Sequence, residues 1–136
     1  MDRELGELLA GQISTPAYVF DLDGLKNRIG RIRSALSGRA EICYAIKANP
    51  FLTGPLIGEA DSFELCSPGE VRICERAGAK REQMVISGVY KEEADLEHFF
   101  ADGGPAPIFT VESERQLALL SGLSDRYGCG VDVLLR

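Results

Sequence analysis

The sequence predicts an α/β fold of parallel strands, and three observations carry the prediction. Short runs rich in β-branched and aromatic residues recur near residues 41, 63, 84, 108 and 131. Between them lie segments with helical spacing or with the Gly and Pro of a loop. Ser67 and Ser113 each stand three residues before a Glu or Gln, marking helix starts directly after two of the strands. Repeated strand–helix units of this kind make a parallel sheet with right-handed crossovers. Two architectures satisfy the pattern: a five-stranded open doubly wound sheet, or an incomplete (β/α)8 barrel with about five strands present.

The 136 residues are one domain's worth of chain, with a leading helix and strand over 1–23 and βα units over 24–136. A formal charge of −6 leaves no basic excess to neutralise phosphates, which argues against nucleic acid or an anionic membrane as partner. No apolar run approaches membrane-spanning length, and Met1 to Gln12 lacks a signal-peptide core, so the expected compartment is cytoplasmic. Cys43, Cys66, Cys74 and Cys129 form no C-x-x-C pair, and they read as reduced, mostly buried small residues rather than metal ligands.

In chain order, Leu5, Leu8 and Leu9 suggest a short helix that Gly11 ends. Thr15 to Asp21 reads as a strand, with Asp21 or Asp23 capping the helix that follows. That helix places Leu25, Ile29, Ile32 and Leu36 on one face, its arginines on solvent, and Gly38 at its close. Ile42 to Ile46 is an apolar strand stopped by Pro50, with Cys43, Ala45 and Lys47 on one face and Ile42, Tyr44 and Ile46 on the other. The small face leaves room beside the Lys47 amine and would keep it partly desolvated. Phe51 to Ala60 carries too much Gly and Pro for a full helix.

Ser62 to Leu65 forms the next strand, and Ser67, Pro68 and Glu70 open a helix that Gly78 ends. Met84 to Ser87 is a strand followed by the loop Gly88 to Lys91. The helix 92–101 buries Leu96, Phe99 and Phe100, and His98 among them reads as structural. Ile108 to Val111 is a strand. Ser113 and Gln116 then cap a helix that buries Leu117, Leu120 and Leu123, and Val131 to Arg136 is the last strand.

A lysine at the carboxyl end of a buried strand sits where α/β proteins place ligand chemistry, although a lysine that simply reaches solvent satisfies the same position. The stretch Glu41-Ile42-Cys43-Tyr44-Ala45-Ile46-Lys47-Ala48-Asn49-Pro50 is more specific. It resembles the Y-A-x-K-A-N-P signature of the fold-type III pyridoxal-phosphate decarboxylases, the diaminopimelate and ornithine decarboxylase family. Thr15 to Asp21 resembles that family's T-P-x-Y-V-x-D opening. Phe63 to Glu70 resembles its F-D-x-x-S-x-x-E block, with Glu64 where the family has aspartate, and Val131 to Arg136 resembles its apolar strand ending in arginine.

The resemblance implies the barrel, pyridoxal 5'-phosphate as cofactor and Lys47 as the residue that carries it. It implies cofactor contacts from Glu64, Ser67 and Arg136. It also implies decarboxylation of a small-molecule amino-acid substrate of the diaminopimelate, ornithine, lysine or arginine type. A closed barrel needs eight strands and typically about 250 residues. The family's glycine-rich phosphate loop, the acid on the pyridine nitrogen and the late cysteine and tyrosine find no counterpart here. The expectation is an amino-terminal portion, inactive alone, whose open sheet edges at the Lys47 and Arg136 strands promote a homo-oligomer.

Two other readings compete. Val19-Phe20-Asp21-Leu22-Asp23-Gly24 fits the D-x-D-G motif of haloacid-dehalogenase-type phosphatases, in which two carboxylates at a strand end hold Mg²⁺ and accept a phosphoryl group. Leu25 after the glycine and the lack of a later acidic pair depart from that pattern. The other reading is a non-catalytic α/β module whose lysine is incidental.

Overall fold

The computed structural model describes residues 6, 7, 9, 12–14 and 16–136. The chain falls into two compact units, Met1–Ala40 and Glu41–Arg136. Leu5, Leu8 and Gly11 of the expected first helix lie outside the described residues; Gly6, Glu7 and Leu9 are helical.

In the first unit, helix α1 (Leu22–Leu36) starts at Asp21, whose Oδ1 accepts the Gly24 N–H at 2.8 Å. A Cβ on Gly24 would stand 2.5 Å from the other oxygen of that carboxylate, so a larger residue there would have to shift the Asp21 side chain. The helix closes one residue earlier than expected: Ser37, not Gly38, is the C-cap, left-handed at φ 50° with its N–H shared by the Arg33 and Ser34 carbonyls. Ile29 is the buried position of α1, and Ile32 is exposed. Residues 17–21 do not form the expected strand. A strand exists by its ladder, and the five-stranded sheet does not include this run.

The second unit holds that sheet. Its strands are β1 (Cys43–Ala45), β2 (Ser62–Leu65), β3 (Met84–Ile86), β4 (Ile108–Val111) and β5 (Val133–Leu135). All pair in parallel and lie side by side in chain order. This order separates the two architectures. A doubly wound sheet reverses direction at a switch point, whereas right-handed crossovers that always advance by one strand stack every helix on one face, as in the wall of a barrel.

Burial follows the same division. Phe63, Leu65, Met84, Ile86, Phe109 and Val111 point to the helical side and are buried. Their alternates, among them Cys43, Ala45, Glu64 and Leu134, occupy the opposite, uncovered face, where register puts Ala45 beside Glu64 and Thr110 beside Leu134. That face explains a correction. Among the four cysteines only Cys74, on the helical side, is buried; Cys43 is exposed and Cys66 and Cys129 are half-buried.

The connecting helices are α2 (Thr53–Leu56), α3 (Pro68–Ala77), α4 (Glu93–Leu96), α5 (His98–Ala101) and α6 (Glu114–Tyr127). The expected single helix over 92–101 is thus two, interrupted at Glu97, although Glu97 keeps helical dihedrals. Phe99, Phe100 and Phe109 form the aromatic centre, with Phe109 stacked on Phe100 at 5.9 Å and edge-on to Phe99 at 6.2 Å. His98 lies outside it, tilted over Phe99 and within 3.2 Å of Glu75. In α6, Leu120 and Leu123 are buried as expected, but Leu117 is 49% exposed and Gln116 is buried instead. Gln116 can be buried because its amide is satisfied: it accepts the Glu112 N–H at 2.8 Å and donates to the Val89 carbonyl at 2.9 Å.

Candidate active site at the carboxyl ends of the strands

The strand expected to deliver Lys47 is shorter than its sequence suggests. β1 stops at Ala45, and Ile46–Ala48 is a 3-10 turn followed by a second, Pro50–Leu52. Lys47 therefore projects from a turn rather than from the strand face it was expected to share with Cys43 and Ala45, while Ile46 is fully buried. The residues around the lysine build this turn. The Tyr44 hydroxyl donates to the Asn49 carbonyl at 3.0 Å, and Asn49 Oδ1 accepts the Phe51 N–H at 3.1 Å just ahead of Pro50 in the first helical position. Burial holds the Tyr44 phenol above its ordinary range, which keeps the hydroxyl a donor, and its bond to Asn49 opposes that only in part.

Four groups from three strand ends, Lys47 among them, form one cluster. Lys47 Nζ lies 3.6 Å from Glu64 Oε2 and 3.8 Å from Cys66 Sγ. Ser87 Oγ donates to Glu64 Oε1 at 2.8 Å and stands 3.4 Å from Cys66 Sγ. The Lys47 side chain is 59% exposed, so its expected desolvation is not found, whereas Glu64 is 28% exposed. The small neighbours do not enclose the amine because Cys43 is itself exposed on the uncovered face. Close backbone contact makes the cluster possible: a Cβ on Gly88 would stand 2.2 Å from the Cys66 carbonyl oxygen, so only glycine lets the ends of β2 and β3 approach this closely.

Ser67 and Arg136 are engaged elsewhere. Ser67 Oγ accepts the Glu70 N–H at 3.3 Å, and Glu70 Oε2 accepts the Cys66 N–H at 2.6 Å, one residue before the cap. Arg136, at the end of β5, pairs with Glu112 at the end of β4 (3.3 Å). Sequence reading missed Cys66 and Ser87 as members of the cluster, and it also missed Lys91. The Lys91 amine is buried and donates to the Gly88 carbonyl. Burial lowers its pKa, against the nearby Glu112 and Cys66 charges. Nothing in Val89-Tyr90-Lys91 signals this, because a lysine in a loop is ordinarily solvated.

A lysine amine with a carboxylate and a hydroxyl beside it, on the rim of a parallel sheet, is a donor set that fits an aldehyde cofactor. The model of the pyridoxal binding domain of the pyridoxal-dependent decarboxylases matches residues 22–136, and the chain belongs to this family. It is 34% identical over 131 residues to the diaminopimelate decarboxylase of Aquifex aeolicus (strain VF5), an alignment covering 94% of this chain and 30% of the relative. It is 37% identical over 125 residues to that of Helicobacter pylori, covering 90% of this chain and 30% of the relative. The crystal structure of diaminopimelate decarboxylase from Helicobacter pylori complexed with L-lysine superposes with a TM-score of 0.79 at 26% identity, over 96% of this chain and 33% of that one. The chain thus spans 30% of the length of these two curated relatives. The phosphatase reading falls with this finding. No strand leads into Asp21, and its carboxylate caps α1.

Proposed function

We propose that this chain supplies the cofactor lysine of a pyridoxal-phosphate-dependent amino-acid decarboxylase. The observation that carries the reading is the Lys47 amine on the carboxyl rim of the sheet, 3.6 Å from the Glu64 carboxylate. Lys47 would bind the cofactor covalently. Glu64 would orient that amine, and Ser67 and Arg136 would contact the cofactor from the ends of β2 and β5. When bound, pyridoxal phosphate supplies an electron sink for the pair released as carbon dioxide leaves. The protein's own contribution on this rim is to hold the amine: the turn braced by Tyr44 and Asn49 sets its position, and the Glu64 carboxylate pairs with its charge at 3.6 Å.

The substrate we propose is diaminopimelate or a related basic amino acid, supported by the relatives that carry that name. We also propose a homo-oligomer in the cytoplasm. Its free thiols suit a reducing compartment, and among the described residues no helix is long and apolar enough to cross a membrane.

The test is to mix the chain with pyridoxal phosphate, reduce with borohydride and map the added mass. A single adduct on Lys47, absent from Lys47→Ala, is expected. Equal labelling of both proteins, or an adduct on Lys91, would leave an incidental lysine in a non-catalytic module.

A further inference from the structure

We infer that Ser87 is a positioning residue for Lys47, acting through Glu64; this rests on the function proposed above. An ionised carboxylate only accepts, so the single Ser87 hydroxyl proton goes to Glu64 Oε1 at 2.8 Å. The Ser87 oxygen is then left to accept the Cys66 thiol proton at 3.4 Å. Cys66 Sγ in turn faces the Lys47 amine at 3.8 Å, and the second Glu64 oxygen faces the same amine at 3.6 Å. The four groups close a ring in which the Lys47 amine is donor to both neighbours and the Glu64 carboxylate is acceptor from both, with Cys66 and Ser87 relaying one side.

Of these four, Ser87 is the buried member, at 5% exposure, and the Lys47 side chain the most open, at 59%. Order therefore passes outward from Ser87. Glutamate has one more rotatable bond than the aspartate at the matching place in the family's block, and each free torsion is a way to leave the amine. The Ser87 bond removes that freedom by holding one oxygen of Glu64 while the other meets Lys47. The Gly88 contact with the Cys66 carbonyl fixes the hydroxyl at the height where it can do so.

The experiment is a double-mutant cycle read by the rate of borohydride-trapped pyridoxal phosphate on Lys47. Ser87→Ala and Glu64→Gln should each slow trapping about tenfold, the scale of one hydrogen bond to a charged group. In the Glu64→Gln background Ser87→Ala should lose its effect, and Ser87→Thr should retain the parent rate. An equal loss in both backgrounds, or none in either, overturns the inference. Should the alanine variant fail to fold, Ser87→Cys, of similar shape and a weaker donor, replaces it in the cycle.

If the parent forms no Lys47 adduct, the proposed function fails. Acetylation of Lys47 by acetic anhydride then carries the same cycle without the cofactor. Non-additive rates uphold the Ser87–Glu64 coupling and additive rates remove it.

Discussion

Lys47 is legible in the chain because its neighbours have local work to do: Tyr44, Asn49 and Pro50 close the turn that carries it. Its partners are not legible in this way. Glu64, Cys66 and Ser87 reach the lysine across sequence separations that only the sheet closes, so no window of local periodicity contains them together. Cys74 supplies a prediction at the same scale. Burial, with the Glu75 charge second, pushes its thiol from 9.0 up to about 11. The folded chain therefore holds this proton more tightly than the unfolded one. The associated stability is fully present below pH 9 and is lost as pH rises toward about 11. Urea midpoints across that window should fall more steeply for the parent than for Cys74→Ala; parallel slopes would show that the thiol makes no such contribution.

Among the elements, those with complete local signals formed as read. Ser67, Pro68 and Gly78 bound α3, and Ser113 and Gly128 bound α6. Departures arise where packing decides. Gln116 displaces Leu117 from the core because its amide bridges the ends of β3 and β4. The Lys47 strand ends early because Ile46 turns into the core. The β2–β3 approach can be tested at Gly88. Gly88→Ala puts a methyl 2.2 Å from the Cys66 carbonyl oxygen, so backbone must move, at a cost of about 1–3 kcal/mol. Gly69→Ala, whose new methyl would lie 3.7 Å from Ser67 Oγ, should leave the denaturant midpoint unchanged or slightly raised. Equal midpoints for the two variants would refute the close-approach account.

For the molecule as a whole, the proposed homo-oligomer is tested at the sheet's two outer strands. Among the described residues β1 and β5 each have a neighbour on one side only, and β5 exposes Leu134 at 53% and Leu135 at 80%. An uncharged apolar edge of this kind pairs with other chains. Light scattering should therefore find self-association in the parent and a shift toward monomer in Leu135→Lys. A parent that stays monomeric at the same concentration would remove the edge as an assembly surface.

By itself the sequence determined the five parallel strands, the caps of α3 and α6, and the family with the motif that contains Lys47. Each of these follows from propensity, periodicity or a motif only a few residues long. The tertiary structure decided the strand order, which selected a barrel wall over a doubly wound sheet. It also brought Glu64, Cys66 and Ser87 to Lys47 and buried Lys91 and Gln116. The physical reason is range. Local preferences act within a turn or two of chain, whereas ladder register and burial join residues about twenty positions apart and exist only once the sheet has formed.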